Sequence, residues 1–324
     1  MDSIETLHAF EQIKLLADSR RMVILRLLMA QPATLTQLAH ALRRSPAWIR
    51  HHLQVLEGAR LVELAEVRTS GTVTEKFYRA RAGAFLLQKM ILPKGRKPAV
   101  IFSGSHDLAL EGIAGHLAPR LTLLNLPVGS LDGLINLRQG LCQLSGAHLL
   151  DPGGEYNTPF VRHLFPDRSV ELITLANRTQ GLMLAPGNPG SIRKIEDLAC
   201  RNVRFVNRNP GSGTRLWLDC ELGKRGMDLA RVQGYKREVK THSEAATLIE
   251  RGRADVALGL QAAADQHGLD FIPLFEERYD LVLLRENETS LAPLLDYLQT
   301  AAFRHELNSL RGYNSAHSGE QIPL

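Results

Sequence analysis

The chain has 324 residues, of which 44% are hydrophobic and 23% charged, and this length predicts two or three domains rather than one ordinary core. No stretch approaches the roughly 18 apolar residues that span a bilayer, and no basic segment precedes an apolar one as in a secretory signal. The three cysteines are odd in number and far apart, which disfavours a disulfide framework or a paired-cysteine metal site. We therefore expect a cytoplasmic protein with no membrane segment.

Positive charge is concentrated in the first third of the chain. Residues 1–98 contain 16 Lys and Arg against 8 Asp and Glu, whereas the rest contains 23 against 26. A surface that binds a polyanion is therefore expected in the first third. The segment Leu-Pro-Lys-Gly-Arg-Lys-Pro at 92–98 is typical of an exposed linker. We predict one domain over residues 1–92, a linker over 93–98 and a second domain over 99–324.

Helix start signals recur in the first domain. Ser19 is predicted to cap one helix, and Thr34 with Gln37 has the spacing of a capping box at the next. Ser45 as N-cap with Pro46 at the first helical position predicts a third helix, which is polar and basic on its outer face. Two short helices joined by a tight turn, the second of them basic, describe a helix-turn-helix.

Two β-like runs at 61–67 and 72–79 follow, and the turn between them, which includes Gly71, predicts a hairpin wing. Residues 8–85 resemble the ArsR-type winged-helix family, without the cysteine pair that metal-sensing members often carry. Arg60 stands where the family often has glycine. The motifs that carry the resemblance are Leu16-Ala17-Asp18-Ser19-Arg20-Arg21, His52-Leu53-Gln54-Val55-Leu56-Glu57 and Leu61-Val62.

The ArsR resemblance implies double-stranded DNA as a partner, with base contacts from the third helix and backbone contacts from the wing. Arg50 suits guanine and Gln54 suits adenine, while Arg68 and Lys76 suit phosphates or the minor groove. For each side chain the alternative is a solvated charge. By analogy we expect a homodimer on pseudo-palindromic sites. The predicted DNA-binding residues are Ser45, Pro46, Ala47, Arg50, His51, Gln54, Arg68 and Lys76.

In the second domain, short β-rich runs alternate with helical segments, which predicts an α/β fold with mainly parallel strands. The runs are 99–103, 121–126, 170–176, 181–185, 203–207, 256–259 and 279–284. Glycine- and hydroxyl-rich segments adjoin several runs, and a helix that begins in such a segment presents N–H groups and a dipole to an anion. These segments lie at 103–107, 128–133, 148–157 and 207–215.

Residues 98–324 resemble the type II periplasmic-binding-protein-like domain that is found fused to helix-turn-helix regulators and is related to molybdate-binding proteins. The motifs are Gly104-Ser105-His106-Asp107, residues 146–157, Arg178-Thr179-Gln180-Gly181-Leu182, and residues 207–215, 252–259 and 268–273. This resemblance implies two lobes joined by strands that cross near 178–181. The fold class is therefore an α+β winged helix followed by an α/β two-lobed periplasmic-binding-protein-like (type II) domain.

The predicted function is a one-component transcriptional regulator that senses a small anionic effector in the cleft. Neutral donors on rigid loops suit a tetrahedral oxyanion, and the resemblance suggests molybdate or tungstate; no other cofactor is expected. A different oxyanion or a carboxylate, held by Arg215 with Arg178, is the alternative. The predicted ligand-binding residues are Ser103, Ser105, Ser130, Tyr156, Asn157, Ser212, Gly213, Thr214 and Arg215.

Two other functions fit the sequence less well. An enzyme built on Ser105-His106-Asp107 is disfavoured, because adjacent residues on one loop rarely meet in triad geometry. A scaffold that has lost its ligand is disfavoured by the segment at 211–215. Asp107 either orients the first loop with His106 or caps its helix, and His148 with Asp151 is interpreted as structural rather than as part of a metal site.

Overall fold

The computed structural model describes residues 3–70, 72–200 and 202–324. Contacts divide the chain into two compact units, Met1–Ile91 and Leu92–Leu324. Throughout the described part of the chain, no helix is both long and apolar enough to cross a membrane.

Within residues 3–70 and 72–91, the first unit combines four helices with two small sheets. A three-stranded antiparallel sheet has the order β2-β4-β3, and β1 pairs in parallel with β5. The elements are β1 (Ile4–Leu7), α1 (Phe10–Leu16), α2 (Ser19–Ala30), β2 (Ala33–Thr34), α3 (Leu35–Leu42), α4 (Pro46–Gly58), β3 (Val62–Ser70), β4 (Val73–Ala80) and β5 (Ala84–Leu87). The helix-turn-helix is α3 with α4, and β3 with β4 forms the predicted wing; Gly71 lies outside the described residues.

The predicted caps are confirmed for α3 and α4 and wrong for α2. Thr34 and Gln37 form a reciprocal capping box, and the Ser45 side chain accepts from the N–H of Trp48. At α2 the cap is Asp18, whose carboxylate accepts from the N–H of Arg20 at 2.9 Å. A carboxylate one residue earlier takes this position because it also pairs with the Arg20 side chain, so Ser19 becomes the first helical residue.

The second unit contains ten strands in its main sheet and eight helices, among the residues that the structure describes. Its first part comprises β6 (Ala99–Gly104), α5 (Leu108–Leu117), β7 (Thr122–Pro127), α6 (Ser130–Arg138), β8 (Leu144–Ala147), α7 (Thr158–Leu164) and β9 (Val170–Leu184). The remainder comprises β10 (Phe205–Arg208), α8 (Gly213–Lys224), β11 (Glu238–Val239), α9 (His242–Glu250), β12 (Val256–Leu260), α10 (Gln261–Gln266), β13 (Asp270–Leu284), α11 (Glu288–Leu298), α12 (Ala301–Ser309), β14 (Tyr313–Asn314) and β15 (Gln321–Ile322).

Two long antiparallel strands, β9 and β13, run through both lobes of this unit. The strand order is β11-β10-β12-β9-β13-β8-β6-β7. The end of β13 pairs with β8, whereas the end of β9 pairs with β12. The first lobe is therefore built on β6, β7 and β8, and the second on β10, β11 and β12. Register shifts in β13 on either side of residues 275–279 mark the crossing.

The structure corrects two predicted strand boundaries. The runs predicted at 170–176 and 181–185 belong to the single strand β9, and the run predicted at 279–284 is the second half of β13. The predicted break falls at Asn177, Arg178 and Thr179, where polar side chains interrupt the apolar pattern of a continuous strand. They lie at the crossing between the lobes, where Arg178 is buried and paired with Asp107 and Glu277.

Candidate functional site

The outer face of α4 is fully exposed in the first unit. Ile49, Leu53 and Leu56 are buried on the opposite face, so the helix presents its polar residues to solvent. His52 is buried with them, and this burial lowers its pKa. All predicted DNA-binding residues are exposed: Ser45, Pro46, Ala47, Arg50, His51, Gln54, Arg68 and Lys76.

Arg68 on the wing is partly engaged. Its guanidinium pairs with Glu66 at 2.9 Å and lies 4.6 Å from the centre of the Phe77 ring. This pair is exposed, so a DNA phosphate can compete with Glu66 at little cost. The wing and α4 together offer cations and amide groups, which is the chemistry that DNA requires.

In the second unit, the loops before α6 and α8 bring the two lobes into direct contact. The N–H of Leu131 donates to the carbonyl of Gly211 at 3.3 Å, and the side chain of Asn209 donates to the carbonyl of Val128. A Cβ on Gly213 would lie 2.3 Å from the carbonyl oxygen of His148. The first turn of α8 therefore touches the first lobe so closely that only glycine fits there.

A buried ion cluster occupies the crossing. Arg178 on β9 is 1% exposed, and its guanidinium pairs with Asp107 at 2.6 Å and with Glu277 on β13. The ring of Tyr279 lies 4.1 Å below it, and the hydroxyl of Tyr313 donates to Asp107 at 2.7 Å. Asp107 also caps α5, where its carboxylate accepts from the N–H groups of Ala109 and Leu110.

His148 links this cluster to the first lobe. Its Nδ1 lies 2.6 Å from a Glu277 oxygen, and its Nε2 lies 2.8 Å from Ser105 Oγ. Burial lowers the pKa of His148, and although burial alone would raise the pKa of Glu277, Arg178 and His148 hold it at about 2. The imidazole is therefore neutral with its proton on Nδ1, and the Ser105 hydroxyl donates to Nε2.

Arg208, at the end of β10 in the second lobe, is buried without an ion pair to any described residue. It is 1% exposed, and it donates to His242 Nε2 at 2.8 Å and to the carbonyl of Lys240 at 2.7 Å. Burial lowers its pKa to about 10, and its Nε has no hydrogen-bond partner within the described chain. Because a guanidinium only donates, His242 is neutral and carries its proton on Nδ1, which likewise lacks a described partner.

The structure brings several predicted ligand residues together around His148. Ser105 contacts the His148 ring, and the hydroxyl of Ser130 accepts from the backbone N–H of His148 at 3.2 Å. Gly213 packs against His148 from the second lobe. Ser212 caps α8, and Thr214 in the first turn accepts from Gln180 on β9 at 3.0 Å. These five residues therefore lie where the lobes meet.

Four predicted ligand residues are engaged elsewhere. Ser103 Oγ accepts from Asn136 on α6, and Tyr156 donates to the carbonyl of Glu276. Asn157 bonds to the N–H of Leu149, the carbonyl of Ala147 and the carboxylate of Asp280. The guanidinium of Arg215 pairs with Asp219 and Glu238 and lies 4.1 Å from the centre of the Tyr235 ring.

The sequence reasoning did not single out Arg208, His242, Gln180 or Glu277. The available signal for Arg208 was its position at the end of the β-like run at 203–207, since a strand end points to the cleft in this fold. Asp151 accepts from the N–H of Glu155 instead of joining His148. His106 pairs through Nε2 with Glu111 at 2.7 Å.

We expect Arg178→Met to reduce the free energy of unfolding by about 3–5 kcal/mol, because Asp107 and Glu277 would stay buried without their shared cation. Urea unfolding of the full chain measures this change. Arg168→Met, at an exposed arginine of the same unit, is the matched control and should cost less than about 1 kcal/mol. Equal losses in the two variants would contradict a structural role for the cluster.

Two family models match the chain, "PBP superfamily domain" over residues 114–299 and "Bacterial regulatory protein, arsR family" over residues 18–63. The "Uncharacterized protein YvgK" of Bacillus subtilis (strain 168) is 37% identical over 233 residues, which cover 71% of this chain and 75% of that protein. The "Uncharacterized protein in ferredoxin 2Fe-2S gene 5'region" of Clostridium pasteurianum is 36% identical over 108 residues, covering 32% of this chain and 96% of that protein.

Solved structures that resemble the chain include a putative phosphate ABC transporter substrate-binding protein with bound phosphate from Clostridium perfringens (14% identity, 70% of this chain and 99% of that chain, TM-score 0.49). The tungstate ABC transporter from Geobacter sulfurreducens has 15% identity, covers 65% and 98%, and has a TM-score of 0.47. Likeness at this level says nothing about the ligand of this chain. On the family matches and the two-lobed fold, the chain belongs to the PBP superfamily and carries an ArsR-family helix-turn-helix in front of its ligand-binding domain.

Proposed function

We propose that the chain is a cytoplasmic one-component transcriptional regulator that binds double-stranded DNA through α4 and the wing and senses a small oxyanion between its lobes. The ArsR-family helix-turn-helix supports the DNA-binding half of this proposal. The PBP superfamily domain supports the ligand-binding half. Joining both in one chain lets ligand and DNA act on the same molecule, provided that the ligand binds the two conformations unequally.

Arg208 is the observation that supports an anionic ligand. A buried cation without a paired anion loses its hydration and gains little in return, which costs several kcal/mol. An oxyanion beside Arg208 supplies the missing charge and an acceptor for the unpartnered Nε. The first turn of α8, which begins five residues later, adds N–H groups and a favourable dipole.

Several oxyanions would supply the charge and the acceptor that Arg208 lacks. The family resemblance of the sequence favours molybdate or tungstate, and phosphate, sulfate or a small carboxylate are the alternatives. Among the predicted residues, Ser105, Ser130, Ser212, Gly213 and Thr214 lie at the meeting of the lobes, which favours them as ligand contacts. Arg208 replaces Arg215 as the proposed cationic contact, because the charge of Arg215 is already paired with Asp219 and Glu238.

A homodimer is proposed for the DNA-binding half. Large apolar side chains on β1, α1, α2 and β5 are exposed in the isolated chain, namely those of Ile4, Phe10, Val23, Leu86 and Leu87. A second copy that covers these side chains through a two-fold axis would present two α4 helices to successive major grooves. This arrangement fits a pseudo-palindromic operator.

A second candidate function, that of a serine hydrolase, rests on a specific chain of contacts. Ser105, His148 and Glu277 have the hydrogen-bond order of a nucleophile, a base and an orienting carboxylate, with distances of 2.8 and 2.6 Å. This set differs from the adjacent Ser105-His106-Asp107 considered from sequence. Glu277 is also bound by Arg178, and all three residues are buried, so we propose a structural and ligand-contacting role for them.

Ligand binding is tested first by thermal unfolding of the full chain with molybdate, tungstate, sulfate, phosphate and small carboxylates. A ligand at 100 times its dissociation constant stabilises the folded state by about 2.7 kcal/mol, which raises the melting temperature. Arg208→Gln should weaken binding of the responsive anion at least about 30-fold, since it removes a buried charge pair. Arg193→Gln, at an exposed arginine of the second lobe, should bind like wild type. No response to any anion would contradict the oxyanion proposal.

DNA recognition is tested with an operator selected from a random-sequence pool. Arg50→Ala and Gln54→Ala should each weaken binding to the selected operator about 10- to 100-fold, because each removes a base contact. Arg26→Ala removes an exposed cation from α2 and should change affinity much less. Fluorescence anisotropy measures the three constants, and equal losses in all three variants would contradict base reading by α4.

Covalent labelling with a fluorophosphonate probe separates the regulator from the hydrolase. We expect no labelling of Ser105, because its hydroxyl is buried between the lobes and held by His148. Labelling that is detected by mass spectrometry on Ser105 and abolished in Ser105→Ala would instead support the hydrolase.

A further inference from the structure

A cavity of about 620 Å³ lies in the first lobe, away from the crossing. Its walls are the end of α7 with the segment that follows, the residue after β13, and β15 with the two residues after it. Val170 begins β9 and Arg285 follows β13, so the cavity lies at one end of these two long strands. Eight residues of extended strand lead from Val170 to Arg178, a distance of roughly 26 Å. The cavity is therefore separate from the place where the lobes meet.

Three arginines line this cavity. Arg162 comes from α7, Arg168 from the segment before β9, and Arg285 from the end of β13. No acidic side chain is among the lining residues that the structure describes. Residues 99–324 as a whole contain 23 Lys and Arg against 26 Asp and Glu, so the cavity is a local excess of positive charge in a domain of net negative charge. A ligand that carries negative charge is favoured in such a cavity.

The guanidinium groups of these arginines are free to bind a ligand. Arg162 forms no ion pair with any residue in the described ranges. Arg168 lies 3.9 Å from Glu286, at the limit of an ion pair, and this pair is exposed. Arg285 lies 3.3 Å from Glu171, and its side chain is 61% exposed. Exposed pairs of this kind contribute little free energy, so a ligand can replace either carboxylate at small cost.

The cavity also has apolar walls. Val161 and Phe165 belong to the core of the first lobe, and Ile322 packs against the same core. Pro166 and Pro323 add exposed apolar surface to the lining. A cavity of this volume suits an organic molecule of the size of a nucleotide, whereas an inorganic oxyanion would leave most of it empty.

Backbone hydrogen bonds hold the walls of the cavity together. The N–H of Arg168 donates to the carbonyl of Phe165 at 3.4 Å, and the N–H of Arg285 donates to the carbonyl of Ser169 at 3.0 Å. In β15, Ile322 is paired with Leu172 on β9. The fold thus fixes the backbone positions of the walls before a ligand arrives, which reduces the free energy that binding spends on ordering them.

We propose that this cavity is a second binding site, for a phosphate monoester of a small molecule that contains a ring. The phosphate carries close to two negative charges near neutral pH and accepts hydrogen bonds from Arg162, Arg168 and Arg285. The ring packs against the two prolines and Ile322. A bare phosphate fills little of the cavity, and an uncharged ring gives the arginines no acceptor, so both parts of the ligand are needed. The site shares no residue with the proposed oxyanion site, and either site can exist without the other.

Isothermal titration calorimetry of the full chain with adenosine 5′-monophosphate and with phenyl phosphate tests the site. We expect both compounds to bind, and adenosine to bind at least about tenfold more weakly than its monophosphate, because it lacks the charged acceptor. Inorganic phosphate should displace adenosine 5′-monophosphate only at a concentration at least about tenfold higher than phenyl phosphate requires. Binding of neither monoester would overturn the proposal, and so would equal binding of adenosine and its monophosphate.

Arg162→Gln and Arg285→Gln locate the bound monoester. Each should weaken binding of adenosine 5′-monophosphate at least about tenfold, since each removes a charge-assisted hydrogen bond. Both residues are exposed, so the variants should fold, which thermal unfolding without ligand verifies. Arg304→Gln, at an exposed arginine of α12 outside the cavity, is the matched control and should bind like wild type. Unchanged binding in both cavity variants would contradict the site.

Arg208→Gln separates this proposal from the oxyanion sensor. This variant should keep its affinity for adenosine 5′-monophosphate and lose the response to the inorganic anion, and Arg162→Gln should show the reverse. Monoester binding that is lost in Arg208→Gln and retained in Arg162→Gln would place the ligand between the lobes and overturn the second site. Weaker operator binding by Arg162→Gln without any monoester would instead assign these arginines to DNA and would likewise overturn it.

Discussion

Two buried arginines of the second unit, one at the crossing and one at the end of β10, differ in whether an acidic side chain neutralises them, and the function proposed for this unit depends on that difference. Arg178 is neutralised by Asp107 and Glu277, so its charge holds together β9, β13 and the start of α5. Arg208 has no such pair among the described residues and is oriented instead by a histidine and a carbonyl group. One arginine stabilises the fold, and the other keeps an unsatisfied charge that a ligand can match.

Under the proposed function, the close contact of the lobes gives a small anion the means to change the angle between them. Gly213 packs against His148 with no space for a side chain, and Leu131 bonds to Gly211 across the same contact. Ligand that bridges Arg208 and the first lobe favours this closed arrangement over an open one by its difference in affinity for the two. The continuous strands β9 and β13 are the elements through which such a change in lobe angle would be expressed.

Local patterns in the sequence predicted the elements well where a side chain acts on its own neighbours. The capping box at Thr34 and the cap at Ser45 follow from residues a few positions apart. The continuity of β9 could not be predicted in this way, because Arg178 is a charged residue in the middle of the strand. It is compatible with a buried strand only because Asp107, seventy-one residues away, pairs with it. The sequence analysis did not predict Arg208, His242 and Gln180 as site residues for the same reason. Their importance depends on partners that are distant in the sequence or absent from the described chain. Arg215 was favoured by its position in a glycine-rich segment, but Asp219 one helical turn later engages it.

Coupling between anion and DNA is the central claim, and the affinity of the full chain for its selected operator tests it most directly. The account predicts that saturating the cleft with the bound anion changes this affinity about five- to 150-fold, the usual range of coupling between two sites, and that Arg208→Gln abolishes the change while leaving the anion-free affinity intact. Equal operator affinity with and without an anion that calorimetry shows to be bound would contradict the account.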